Sequence, residues 1–192
     1  MIRPLFLLMS SLISLLLLGG FQCEPYCDQS FELRDWRSAW LNNSGSEPIV
    51  TTDPIPRAAL GIRLSATLLN PDSLAVSDNE DCTWNALHPI NTIEVFATDA
   101  FDTVAIGENI SSRFRLRALN ASSFKYLTLE EAVGQANFFY ARVAPDFKLD
   151  LLMTEPPSQA GSYRFAVKIQ FDSTFMPPTL DTLFTLPTVI LQ

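Results

Sequence analysis

Period-two alternation constrains this chain more than any other feature. Leu60, Ile62, Leu64, Ala66 and Leu68 alternate with Gly61, Arg63, Ser65 and Thr67. Successive side chains of a strand point to opposite faces, so this run predicts a strand with one face buried. The pattern returns at Ile93–Thr98, at Arg113–Ala118, at Phe147–Leu151 and at Tyr163–Phe171. A last apolar run, Thr182–Leu191, contains Pro187 and is predicted to lie at an edge or a bulge, because proline cannot donate to a central ladder. Phe31 and Leu33 suggest one more strand near the start.

One helix is predicted. Thr128 and Glu131 form a capping box ahead of Leu129–Phe138, with Leu129, Ala132, Val133 and Ala136 on one face and Gly134 weakening it. Residues 42–56 are rich in Asn, Ser, Pro and Thr and read as a long loop, and 155–161 read as a turn. Together these signals predict an all-β fold, an Ig-like antiparallel β-sandwich of about seven strands with one short helix; a closed barrel is the alternative. The alternating segments are too few and irregular for an outer-membrane barrel, and the arginine face of 113–117 suits lipid poorly.

Composition narrows the partners. The 192 residues are 47% hydrophobic with 14 Phe and 7 Gly, which excludes a disordered or collagen-like chain. Net charge is −8, so nucleic acid is not expected as a partner, since phosphate backbones need a basic face.

Residues 1–22 read as a signal peptide: Arg3 is the n-region, Leu5–Leu18 the apolar run, and Gly19 and Gly20 close it. The run is short for a membrane span, which takes roughly 20 residues; an uncleaved anchor is the other reading. Cys23 follows directly, in the position of an acylated lipoprotein cysteine. Gly20, Phe21 and Gln22 depart from the usual small residue before that cysteine, so cleavage near Gly20 is the alternative. The chain thus divides into a signal peptide (1–22), a lipid attachment and tether (23–30) and a β-sandwich domain (31–192).

Three cysteines leave one over in an exported protein. With Cys23 as the lipidation site, Cys27 and Cys82 remain as a pair, and an oxidising compartment favours a disulfide between them. Free thiols, or a Cys23/Cys27 metal pair, are the competing readings; the single histidine, His88, leaves no tetrahedral zinc set.

No motif assigns catalysis. Gly-x-Ser-x-Gly, His-x-x-x-His, a phosphate loop and a dinucleotide fingerprint are missing from the sequence. His88 is the one candidate base, before Pro89 in a loop, where packing is the commoner role. Asp78, Glu80 and Asp81 offer oxygen ligands for calcium in no EF-hand spacing and read better as a solvated turn; Asp99 and Asp102 are a weaker pair. Trp36, Trp40 and Trp84, with Tyr26, would make a sugar platform if exposed, although core is the expected place for each. Asn42, Asn109 and Asn120 head sequons that matter only in a eukaryotic secretory pathway. No cofactor, metal or catalytic residue is assigned.

The ordered features resemble a family of uncharacterised Gram-negative lipoproteins, a domain of unknown function. The likeness is carried by Cys23 with Tyr26-Cys27-Asp28, by Phe31-Glu32-Leu33, and by Ala75-Val76-Ser77 leading to Cys82. It continues through Pro89–Val95 and Phe101-Asp102 to the strands Phe147–Met153 and Tyr163–Phe171. The resemblance implies an envelope lipoprotein with an Ig-like sandwich and carries over no catalytic residue. The expected function is an exported, lipid-anchored envelope protein at the outer membrane, not an enzyme, that binds an envelope protein or glycan. A structural subunit of a surface appendage, or a hydrolase using dispersed carboxylates, are the alternatives.

Overall fold

The computed structural model describes residues 28–69, 83–117, 126–136, 138–140, 146–172 and 182–192. The first half of the chain supplies β1 (Asp28–Asn42), β2 (Ile49–Val50), β3 (Leu60–Leu69), β4 (Thr83–Ala86), β5 (Ile90–Ala97) and β6 (Phe114–Arg117). Then come β7 (Tyr126–Leu127), the helix α1 (Leu129–Ala136), β8 (Phe138–Tyr140) and β9 (Asp146–Met153). The chain closes with β10 (Gly161–Tyr163), β11 (Phe165–Phe171), β12 (Thr182–Thr185) and β13 (Val189–Leu191).

The main sheet runs β7-β6-β9-β3-β1-β4-β8, with β2 added beside β1; a second sheet runs β12-β11-β5, and β10 pairs with β13. All pairs are antiparallel except β1 with β4. The two larger sheets pack face to face. Ile62, Leu64 and Ala66 of β3 and Phe147, Leu149, Leu151 and Met153 of β9 share one core with Ile93, Val95 and Ala97 of β5 and Phe165, Val167 and Ile169 of β11. Trp40 of β1 meets Phe165 of β11 edge to face at 5.8 Å, and its Nε1–H donates to the Pro187 carbonyl at 3.0 Å. The fold is therefore the all-β sandwich with one short helix that the alternation predicts.

Strand β1 is longer than Phe31 and Leu33 suggest. Its pairing with β3 breaks step: Arg34 faces Thr67 and Arg37 faces Ser65, so Asp35 and Trp36 together oppose Ala66. Asp35 takes φ 52°, the left-handed conformation that a short polar side chain tolerates at a bulge. The extra residue moves the inward set from odd to even positions. Phe31 and Leu33 pack inward before it, and Trp36 and Trp40 after it. The strand opens at Asp28, within the segment 23–30 assigned to the tether, because residues 28–31 pair with Thr83–Ala86 of β4.

Two further boundaries differ from expectation. The helix stops at Ala136, since Phe138 enters β8 and pairs with Asn85. Its capping box forms as expected: the Thr128 N–H donates to Glu131 Oε2 at 2.9 Å and the Glu131 N–H to Thr128 Oγ1 at 3.2 Å. The final apolar run divides around Leu186–Thr188 into β12, at the edge of the second sheet, and β13, whose Val189 and Leu191 fill the core.

Two glycines test the packing in opposite senses. A Cβ on Gly61 would sit 2.9 Å from Leu152 Cδ2, 3.1 Å from the Leu151 carbonyl oxygen and 3.2 Å from Leu41 Cβ, whereas one on Gly134 in α1 meets nothing within 4 Å. Gly61→Ala is expected to destabilise by about 1–3 kcal/mol through overpacking. Gly134→Ala is expected to stabilise by up to about 1 kcal/mol through helix propensity. Urea unfolding of the two variants measures both shifts.

Candidate functional site

The cross-strand register assembles a cationic face that no local motif announces. Residues directly opposite in an antiparallel pair share a face of the sheet. On the outer face of the main sheet one row therefore reads Ala39–Arg63–Asp150–Arg117 across β1, β3, β9 and β6. The next row reads Arg37–Ser65–Lys148, and a third reads Arg34–Thr67–Asp146. On the other side of the arginine row, Leu41, Gly61 and Leu152 are buried, with Arg115 next in line. Six of the 13 Lys and Arg side chains of this acidic chain thus lie on one sheet face.

The two halves of this face differ in exposure. Asp150 is 0% exposed and Arg117 only 7%. Arg63 clamps Asp150 in a fork, Nε to Oδ1 at 2.6 Å and Nη2 to Oδ2 at 2.7 Å. The hydrogen bond to this carboxylate raises the Arg63 pKa above its ordinary value. Arg117 stands across from Asp150 on the other side, on β6. Beyond them Arg37, Thr67 and Lys148 are exposed, with Ser65 half-buried between Arg37 and Lys148. Arg34, 59% exposed, pairs with Glu32 at 2.7 Å.

The loops at one end of the sandwich form a second polar cluster, but its groups hold one another. Asp102, at φ 48°, accepts from the Ser158 backbone N–H at 3.0 Å and from the Ser158 hydroxyl. Arg57 donates to the Ser158 carbonyl. Arg113 reaches Glu155 Oε2 at 3.9 Å and lies 5.4 Å from the centroid of the Phe101 ring. Arg164 chelates Asp99, with Nη2 2.8 Å and Nε 3.1 Å from the carboxylate oxygens. Both carboxyls sit below their ordinary pKa. Ser158 hydrogen bonds cause the shift at Asp102, and the Arg164 guanidinium causes it at Asp99. The cluster latches the 154–160 loop and spends its charges internally.

The remaining sequence candidates fall as follows. Cys23, Cys27 and Cys82, with Tyr26, Asn120, Asp78, Glu80 and Asp81, lie outside the described residues. Trp36 and Trp40 belong to the core and not to a sugar platform: Trp36 packs against Phe147 at 5.7 Å and Phe171 at 6.3 Å. Trp84 pairs through its backbone with Gln29 and Phe139. His88 is 13% exposed, its Nε2 3.8 Å from Glu32, and its buried Nδ1 has no hydrogen-bond partner. Asn42 and Asn109 cap their own turns, accepting from the Ser44 and Ser111 backbone N–H groups. Among the described residues no group of three or more His, Cys, Asp or Glu is placed to hold a metal ion. The arginine rows escaped the sequence reading because row membership depends on register between strands distant in sequence.

Two measurements check these assignments. Asp150→Ala removes the fully buried carboxylate that Arg63 clamps and is expected to cost about 3–5 kcal/mol in urea unfolding. Asp99→Ala, at an exposed pair, should cost no more than about 1 kcal/mol. The lowered folded-state pKa values of Asp99 and Asp102 stabilise the fold above the ordinary carboxylate range. That contribution is lost as pH falls through the folded values, so the urea midpoint should drop between about pH 5 and about pH 2. Asp102→Asn should flatten that acid limb; an unchanged slope would show that the Ser158 contact contributes nothing.

Neither a family model, nor a curated protein, nor a solved structure matches this chain.

Proposed function

We propose that the protein is an exported, lipid-anchored protein of the cell envelope, carried by acylation at Cys23, and that its sandwich is a binding domain without catalysis. The observation that carries this reading is the place of β1. The strand starts at Asp28, five positions after Cys23, and lies inside the main sheet between β3 on one side and β4 and β2 on the other. Four residues, 24–27, span at most about 14 Å when extended. A diacylglycerol thioether with a further amide-linked chain supplies the two or more acyl chains that durable anchoring takes. Load on that anchor would pass directly to an interior strand, and the domain would stand close to the bilayer surface.

The register of β1 with β4 also favours a Cys27–Cys82 disulfide. Asp28 and Thr83, the residues that follow the two cysteines, are partners in the parallel pair. Partner Cα atoms on neighbouring strands lie about 4.8 Å apart, within the span a disulfide bridges. Such a bond closes a loop of about 55 residues and is worth about 4 kcal/mol in the chain-entropy model. It would also fix the point where the tether enters the sheet.

Mass spectrometry of the membrane-extracted protein is expected to find Cys23 as an acylated N-terminus. An unmodified N-terminus at Phe21 would remove the anchor. Peptide mapping without reductant should link Cys27 to Cys82, and alkylation of both thiols in the native protein would refute the bond.

A further inference from the structure

We propose that the edge of β1 turned away from β3, between Leu33 and Trp40, takes one extended segment of a partner polypeptide as an added strand. Two backbone bonds fix which groups point to that edge. The Asn43 N–H donates to the Ala59 carbonyl on the β3 side, and the Trp40 carbonyl accepts from the Thr51 N–H on the β2 side. Backbone groups of successive residues alternate between the two edges of a strand. Arg37 and Ala39 therefore bond to β3, whereas the Trp36 carbonyl, the Ser38 N–H and carbonyl, and the Trp40 N–H point to the other edge. There β4 pairs with β1 only over Asp28–Phe31, and β2 only over Leu41 and Asn42. Among the described residues no strand and no backbone bond meets the outward groups of Trp36 and Ser38.

Shape selects the occupant. The gap covers residues 32–40, about 30 Å at roughly 3.3 Å per residue, with β4 and β2 beside β1 at its two ends. β4 carries β8 on its far side, so at that end the edge is set back by two strands. A second copy of this chain would bring a β1 edge that is equally set back, and two recessed edges do not meet. A single extended segment fits, in the row that β4 and β2 already occupy. Sheets blunt their open edges against self-pairing, and the recess and the Asp35 bulge do so here while leaving room for one strand. Side chains set the partner's pattern. Trp36 and Trp40 pack inward on either side of Ser38, so alternate side chains of an added strand lie over the same interior and are apolar. Proline is excluded where an N–H must reach the Trp36 or Ser38 carbonyl. The inference rests on the reading of the sandwich as a binding domain, and it does not depend on the Cys23 anchor.

The test presents the full chain with synthetic peptides long enough to span the gap. In one set Val, Leu or Phe alternates with Thr or Ser; in the other the same residues are grouped into one apolar block. The chain should bind the alternating set in preference. Ser38→Ala keeps the outward N–H and should hold that affinity within about twofold. Ser38→Pro removes the N–H, spares the bonds to β3 and should weaken binding about fivefold or more. Amide hydrogen exchange of the parent chain gives a second readout, which stands even if the proline variant does not fold. The free chain should exchange the Ser38 amide faster than those of Arg37 and Ala39, and an alternating peptide at about ten times its Kd should slow Ser38 about tenfold. A Ser38 amide as protected as its neighbours in the free chain would mean an edge already filled and would overturn the proposal. No preference for alternating peptides would overturn it too. Binding that ignores the proline would leave a binding domain and remove this edge. None of these readouts involves acylation, so failure of the anchor and failure of the edge are told apart.

Discussion

Strand β1 reaches across the sandwich only because its alternation changes phase at Asp35. Before the bulge, Phe31 and Leu33 supply the inward face; after it, Trp36 and Trp40 do. Both tryptophans then meet aromatic partners in the core, Trp36 against Phe147 and Phe171 and Trp40 against Phe165. A strand of 15 residues without the extra residue would turn one of these two sets outward, because a slip of one position exchanges the faces. The bulge thus lets a single strand pair with β3 along most of its length while also receiving β4 and β2 on its other edge.

The same phase change explains what the sequence displays and what it hides. The strands with unbroken alternation, β3, β5, β6, β9 and β11, are legible from residues such as Ile62-Arg63-Leu64 and Val167-Lys168-Ile169. β1 is legible only in part, since the pattern stops at Asp35 and resumes on the opposite parity, and two short matches do not sum to one long one. β4 and β8 are too short to alternate visibly. Alternation also assigns polar residues to solvent by default. That assignment is right for Lys148 and wrong for Asp150 and Arg117, which face away from the core yet are buried where Arg63 folds over the carboxylate. Only the pairing of β3, β9 and β6 discloses this, because Arg63, Asp150 and Arg117 are distant in sequence and adjacent in the sheet.

Charge follows the same logic. Within a net charge of −8, the register brings six Lys and Arg from four strands onto one sheet face together with the acids Glu32, Asp146 and Asp150, while the acids at Asp99 and Asp102 are engaged by Arg164 and Ser158 in the loops at one end.

Strand β1 must carry one extra residue for the two sheets to close over a common core, and deleting Asp35 takes that residue away. Equilibrium urea unfolding of the deletion variant should show the cooperative transition abolished or the stability reduced by several kcal/mol, about the cost of losing two or more large core side chains. A deletion variant with the parent's midpoint and slope would contradict the account, since the strand would then have tolerated an exchange of its faces.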